Sequence, residues 1–250
     1  MTKDIIEIRA SELRSEWGLS SDEPIQVKPL LLKLDILTLF RPLDDDFSGM
    51  CLKRNNNRFI LINANHPIGR QHFTIAHEFY HLFVQETFEV HYCNPGSKNS
   101  SKQEKEADFF ASVLLMPQMG IKKMIPEPEL MVKDVSLATL LKLEHYFGVS
   151  RGALLVRLNF LKLISNDVFN HLAETPVVRS AKEYGYDTAL YLPGNNGIVV
   201  GDYGVKARIL FERGKISEGH YIELLSKIGV DPTQNHDGLF ISSDGLQNDD

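Results

Sequence analysis

Cysteine is almost absent. Cys51 and Cys93 are the only two in 250 residues, too few for a disulfide framework. No apolar run approaches the ~20 residues of a membrane span. Met1 to Ala10 carries Lys3, Asp4, Glu7 and Arg9, which does not fit a secretory signal core. Basic excess is missing too: the net charge is −6, so no global field draws the chain to nucleic acid or an anionic membrane. A local basic face stays open. The expectation is a soluble cytoplasmic protein with no membrane partner. What is present is 43% hydrophobic residue, ordinary for a chain that packs a core in one large or two small domains.

Ala10 to Trp17 reads as a short helix ending at Gly18, and Pro24 and Pro29 bracket a loop. Asp44-Asp45-Asp46 lacks the rest of a calcium-loop pattern and reads as a solvated turn. Gly49–Leu52 and Phe59–Ile62 read as a hairpin joined by a polar turn through Asn56. A helix follows from about Pro67 to Val84. Asn94–Ser101 is a loop; Lys102–Leu115 is a second strong helix, stopped by Met116-Pro117. Pro126 and Pro128 mark a boundary. Leu137–Phe147, Gly148-Val149-Ser150 and Arg151–Phe160 read as helix, tight turn, helix. Two amphipathic helices, Tyr203–Arg213 and Ser217–Ile228, close on glycines. Gln234–Asp250 reads as a loose tail.

The chemistry concentrates in His77-Glu78-Phe79-Tyr80-His81. Histidines four residues apart lie on one helix face, where both imidazoles reach a single metal ion. Glu78 next to them is the candidate general base. The surrounding helix is almost wholly apolar, and burying two histidines and a glutamate there without compensation is costly. A zinc ion would compensate.

Catalytic zinc takes three protein ligands and keeps one position open. The helix at 102–115 offers Glu104, Glu106 and Asp108. Its apolar stripe is Ala107, Phe110, Ala111, Leu114 and Leu115. At ~100° per residue, Glu104 and Asp108 fall within or beside that stripe, whereas Glu106 points off it toward solvent. Glu104 is the favoured third ligand over Glu106, and Asp108 is placed to accept an N–H from a liganding imidazole. A rival reading makes Ser101-Lys102-Gln103-Glu104 a capping box. Tyr80, His91, Tyr92 and Tyr146 are possible oxyanion donors without a spacing argument. His91 and Cys93 read as a solvated histidine and a small core cysteine. Lys98, Lys102 and Lys105 read as solvating a loop.

Arg70-Gln71-His72-Phe73-Thr74-Ile75-Ala76-His77-Glu78-Phe79-Tyr80-His81 resembles the signature of the ImmA/IrrE metallopeptidases. Glu104-Lys105-Glu106-Ala107-Asp108-Phe109-Phe110-Ala111 through Met116-Pro117 resembles the family's second motif. The resemblance spans roughly residues 10 to 165. It implies zinc held by His77, His81 and Glu104, with Tyr80 standing where members commonly carry glycine, a change that could reshape the cleft. It implies an α+β fold: a mainly helical zincin-like metallopeptidase core with a small β-sheet over 1–130. A helix-turn-helix-like helical unit follows over 131–172, then a C-terminal α+β extension with a small helical module and a loose tail over 173–250. It also implies a substrate, a helix-turn-helix transcriptional repressor in phage, mobile-element or stress circuits, inactivated by cleavage.

Two rival functions remain on the sequence. Gly148-Val149-Ser150 with the following helix could bind DNA, with Arg151 and Arg157 facing phosphate. That helix is mostly apolar and the chain acidic, so direct DNA binding is not expected and a packing or docking role is favoured. Alternatively, the protein binds a repressor without turnover, as an antitoxin-like partner; the presence of Glu78 argues against this.

Overall fold

A computed structural model describes residues 1–55, 57–86, 91–93 and 101–230. The turn residue Asn56, most of the loop expected at 94–101 and the tail expected at 234–250 lie outside these residues, as do the side chains of His91, Tyr92, Cys93 and Lys98.

Helix α1 (Lys3–Glu16) begins well before Ala10, capped by the Thr2 hydroxyl. Ile6, Ala10, Leu13 and Trp17 bury one continuous stripe, which starts the amphipathic period a full two turns ahead of the expected helix. Helix α2 (Val27–Lys33) tolerates Pro29 in its first turn. Asp35, at φ 49°, breaks the helix and launches β1 (Ile36–Arg41), a strand that the sequence reading did not separate from the leucine run before it.

The expected hairpin forms from β2 (Gly49–Arg54) and β3 (Asn57–Asn63), paired antiparallel. Parallel pairing of β1 with β3 makes the sheet mixed. With β4 (His91–Cys93) and β5 (Val199–Val200) the order is β4-β2-β3-β1-β5. Asn63, fully buried, accepts from the Leu43 amide and donates to the carbonyls of Leu43, Asp44 and Phe47. The aspartate-rich turn is thus shaped around an asparagine side chain.

The long helix α3 (Ile68–Phe83) packs on β2 and β3. Helix α4 (Lys102–Leu115) lies between α3 and α1. Ala107 and Ala111 are fully buried and let α4 approach its neighbours closely. Next come α5 (Gln118–Met124) and α6 (Glu127–Val132). Pro126 and Pro128 stand at the N-cap and in the first turn of α6, where the fixed φ of proline suits a helix start. Helices α7 (Leu137–Phe147) and α8 (Arg151–Phe160) form the expected pair. They are followed by α9 (Asn166–Glu174), α10 (Val177–Glu183) and a 3-10 turn at Ala189–Tyr191. Helices α11 (Tyr203–Glu212) and α12 (Glu218–Lys227) pack on one another. No helix among the described residues is long and apolar enough to cross a membrane.

One hydrophobic core runs from Ile6 through the α7–α8 pair to Val200. The turn between α7 and α8 is seated directly on α3. A Cβ added to Gly69 would stand 2.8 Å from the Ser150 amide nitrogen and 2.9 Å from the Val149 carbonyl carbon, so only glycine allows that approach. Gly148 closes α7 at φ 63°, and its carbonyl accepts from His72 Nδ1 at 2.8 Å.

Candidate metal centre

Helix α3 can bury polar side chains because its start is anchored from far along the chain. The Ile68 amide donates to the Leu192 carbonyl at 3.0 Å. Gln71 donates to the carbonyls of His66 and Gly194 at 2.7 and 2.9 Å, and accepts from Asn195 at 2.8 Å. With its amino end held, the helix presents His77, Glu78 and His81 about two and three turns beyond Gln71. His77 and His81 are 2% and 1% exposed, and Glu78 is 0% exposed.

Helix α4 brings the carboxylate. Ser101 caps it by accepting from the Glu104 amide at 3.2 Å, while the Glu104 side chain faces the imidazoles. His77 Nε2 and His81 Nε2 stand 3.2 Å apart. Glu104 places one oxygen 3.4 Å from His77 Nε2 and the other 3.4 Å from His81 Nε2. The structure therefore brings together the three residues expected to bind metal, and they are the group of this kind among the described residues.

Protons on the two rings follow from what their other nitrogens touch. His77 Nδ1 lies 2.9 Å from Asp108 Oδ1, and His81 Nδ1 lies 2.6 Å from Gln85 Oε1. Both oxygens are acceptors, so each neutral ring carries its proton on Nδ1 and turns an Nε2 lone pair inward. Two lone pairs and a carboxylate then converge on one point, an arrangement that suits a cation. Tetrahedral zinc with ligands at 2.0–2.1 Å has donor–donor edges of about 3.3–3.4 Å, close to the 3.2 Å between the two imidazole nitrogens and the 3.4 Å from each nitrogen to one of the two Glu104 oxygens. The nitrogen and oxygen donors suit a divalent first-row metal, zinc among them.

Asp108 meets His77 as expected, though its side chain is 61% exposed. Gln85 was missed. Its only signal is the four-residue step from His81, and it lies just past the end of α3, where helical spacing loses its authority.

One expectation is corrected. Glu106 does not point into solvent: its side chain is 11% exposed and accepts from the Tyr80 hydroxyl at 2.6 Å and from the amino group of Met1. Burial, together with Glu106, drives the Tyr80 hydroxyl pKa well above its ordinary value. Tyr80 itself is buried at 2% exposure, wedged between α3 and α4, so it does not line an open cleft, and its proton is committed to Glu106. Of the other candidate donors, Tyr146 is exposed and packs edge-on against Phe147. Lys102 is solvated and 3.8 Å from Glu106.

The two arginines that the disfavoured DNA-binding reading would turn toward phosphate take the packing role favoured on the sequence. Arg151 is 3% exposed and pairs with the fully buried Glu144 at 2.7 Å; it also donates to the Thr175 carbonyl and the Ser180 hydroxyl. Arg157, 2% exposed, donates to the Met116 carbonyl at 3.2 Å and faces Glu7 at 3.6 Å. Both serve packing, and neither presents a guanidinium to a nucleic acid.

No curated protein matches the chain. The family model for the IrrE N-terminal-like domain matches residues 32–159, a stretch that runs from the end of α2 through the metal centre into the last turn of α8. With both metal-site helices inside that match, the chain belongs to the ImmA/IrrE peptidase family.

Proposed function

We propose that this protein is a zinc-dependent endopeptidase that cleaves a helix-turn-helix transcriptional repressor in the cytoplasm and so releases the repressor's genes. The observation that carries the catalytic part is the triangle of His77, His81 and Glu104 donors beside the buried Glu78. The repressor as substrate rests on family resemblance alone.

A zinc ion held by these three residues supplies Lewis acidity, which polarises a scissile carbonyl and acidifies water. The protein's own residues do the rest. Asp108 and Gln85 hold the Nδ1 protons, so the imidazoles neither rotate nor change tautomer. Glu78, adjacent to His77 and shielded from solvent, accepts the proton of the attacking water and passes it to the departing amide nitrogen.

The test is incubation of the purified protein with the repressor encoded by the adjacent gene, with and without chelator and with the Glu78→Gln variant. Cleavage by the wild type alone, lost on chelation, supports the reading. Intact repressor bound tightly by both wild type and Glu78→Gln would favour a non-catalytic partner.

A further inference from the structure

We propose that Tyr80 is a positioning residue for the metal site, acting through Glu106 to fix the spacing of α3 and α4. This rests on the metal reading of His77, His81 and Glu104. The argument begins with where the four residues stand. Tyr80 precedes His81 on α3, and Glu106 follows Glu104 by two positions on α4. At ~100° per residue, Glu104 and Glu106 leave α4 on nearly opposite edges. The α3–α4 seam is therefore bridged twice: by the ligand triangle on one side and by the Tyr80–Glu106 hydrogen bond of 2.6 Å on the other.

The two bridges differ in kind. On the ligand side, each Glu104 oxygen stands 3.4 Å from an imidazole nitrogen. On the far side, Tyr80 is a rigid strut. Its ring packs against Phe110 of α4 at 5.8 Å between centroids, and its hydroxyl meets a carboxylate that cannot swing away. The other Glu106 oxygen is taken by the Met1 amino group, with Lys102 beside it. A charge-assisted O–H···O bond of this length is among the stronger neutral-to-charged contacts. Holding donors at their bonding separation in advance removes an ordering cost from ligand capture.

The test is cobalt(II) titration of the full-length apoprotein against a competing chelator, read by affinity and by the visible absorption of the bound ion. Tyr80→Phe keeps the ring and removes the strut. It should weaken cobalt about tenfold, the low end for groups that orient metal ligands, and alter the absorption bands. Glu106→Ala should do the same, and the double variant should be no weaker than either single one, since both break one link. Glu106→Gln retains a neutral acceptor for the tyrosine and should lose clearly less than Glu106→Ala. Tyr191→Phe removes a comparable hydroxyl-to-carboxylate bond, to Glu144 on α7, and should leave cobalt binding unchanged. Wild-type affinity and spectrum in Tyr80→Phe, or equal losses in Glu106→Gln and Glu106→Ala, would overturn the proposal. A wild-type protein that takes up no cobalt would instead remove the metal reading beneath it.

Discussion

Removing the Asp108 carboxylate isolates one imidazole's orientation from the rest of the site. Asp108 Oδ1 accepts from His77 Nδ1 at 2.9 Å, a carboxylate–imidazole bond of the charge-assisted kind. Partners of this sort are worth about 10–100-fold in metal affinity. The Asp108 side chain is 61% exposed, and solvent screens the charge, so the lower figure applies. Asp108→Ala should weaken zinc about tenfold, or about 1.4 kcal/mol. Asp108→Asn keeps an acceptor without the charge and should lose about threefold, half of that free energy. Gln85 offers a built-in comparison because its 2.6 Å bond to His81 Nδ1 already uses a neutral amide oxygen. Gln85→Glu should therefore tighten zinc, while Gln85→Ala should weaken it. The assay is competition with a chromophoric chelator at fixed pH, with thermal melting of each apoprotein alongside to separate folding from binding. Zinc affinity in Asp108→Ala within twofold of wild type would refute the assignment of the Nδ1 protons, and with it the inward lone pairs that make the triangle a cation site.

Other perturbations read different parts of the molecule. Glu78→Gln should retain stoichiometric zinc, measured by metal analysis, while kcat/KM on a cleavable repressor falls by about 10²–10⁴; near-normal turnover would remove Glu78 as base. Arg151→Met strands the fully buried Glu144 carboxylate and should cost about 3–5 kcal/mol in denaturant unfolding; a change within experimental error would show the pair contributes nothing. His72 links stability to pH. Its burial, with nearby Lys28 adding to the effect and the Gly148 carbonyl opposing it, holds the folded imidazole below its ordinary pKa. The unfolded chain then binds a proton that the folded one refuses, so stability is complete above about pH 6.5 and declines as pH falls toward the lowered value. Denaturant midpoints at pH 8 and pH 5.5 should differ more for the wild type than for His72→Gln, and equal differences would exclude His72 as the source.

Helices α4, α7 and α8 were legible because their ends are written in side chains, whereas α3 has no side-chain cap and was read from its apolar period. Ser101, Ser136 and Ser150 each cap a helix with a hydroxyl, so α4, α7 and α8 begin where serine precedes an apolar period. Gly148 and Met116-Pro117 then stop α7 and α4. Strands β1 and β5 left weaker marks. Ile36 to Phe40 is apolar on both faces of its alternation, apart from Thr38, and follows directly on the leucines of α2, so neither period stands out. Its partner β5 has only Val199 and Val200, far too few residues for any pattern. The same holds for Leu192 to Asn195, which anchors the start of α3 mainly through backbone carbonyls and one asparagine. Backbone groups are identical at every position, and a sequence cannot advertise which of them will be used.

The pair Glu104 and Glu106 shows where periodicity stops being informative about a site. The apolar stripe of α4 assigns each carboxylate a direction: toward α3 for Glu104, away from the stripe for Glu106. Both directions are sound. The error lay in equating "away from the stripe" with water. Helix α4 has neighbours on two sides, and α1 crosses it so that the Met1 amino group arrives at Glu106 across a separation of 105 residues. Tyr80 reaches the same carboxylate from α3. A helix wheel reports how a side chain leaves its own axis; what it meets is decided by segments whose approach no local pattern encodes. Gln85 is the complementary case. It stands beyond the last turn of α3, where even the direction is unassigned, yet it ends up on a ligand candidate. Spacing within one helix can nominate His77 and His81, but the groups that orient them must be sought wherever another segment, or the chain just past the helix's own end, closes over the ring nitrogens left behind.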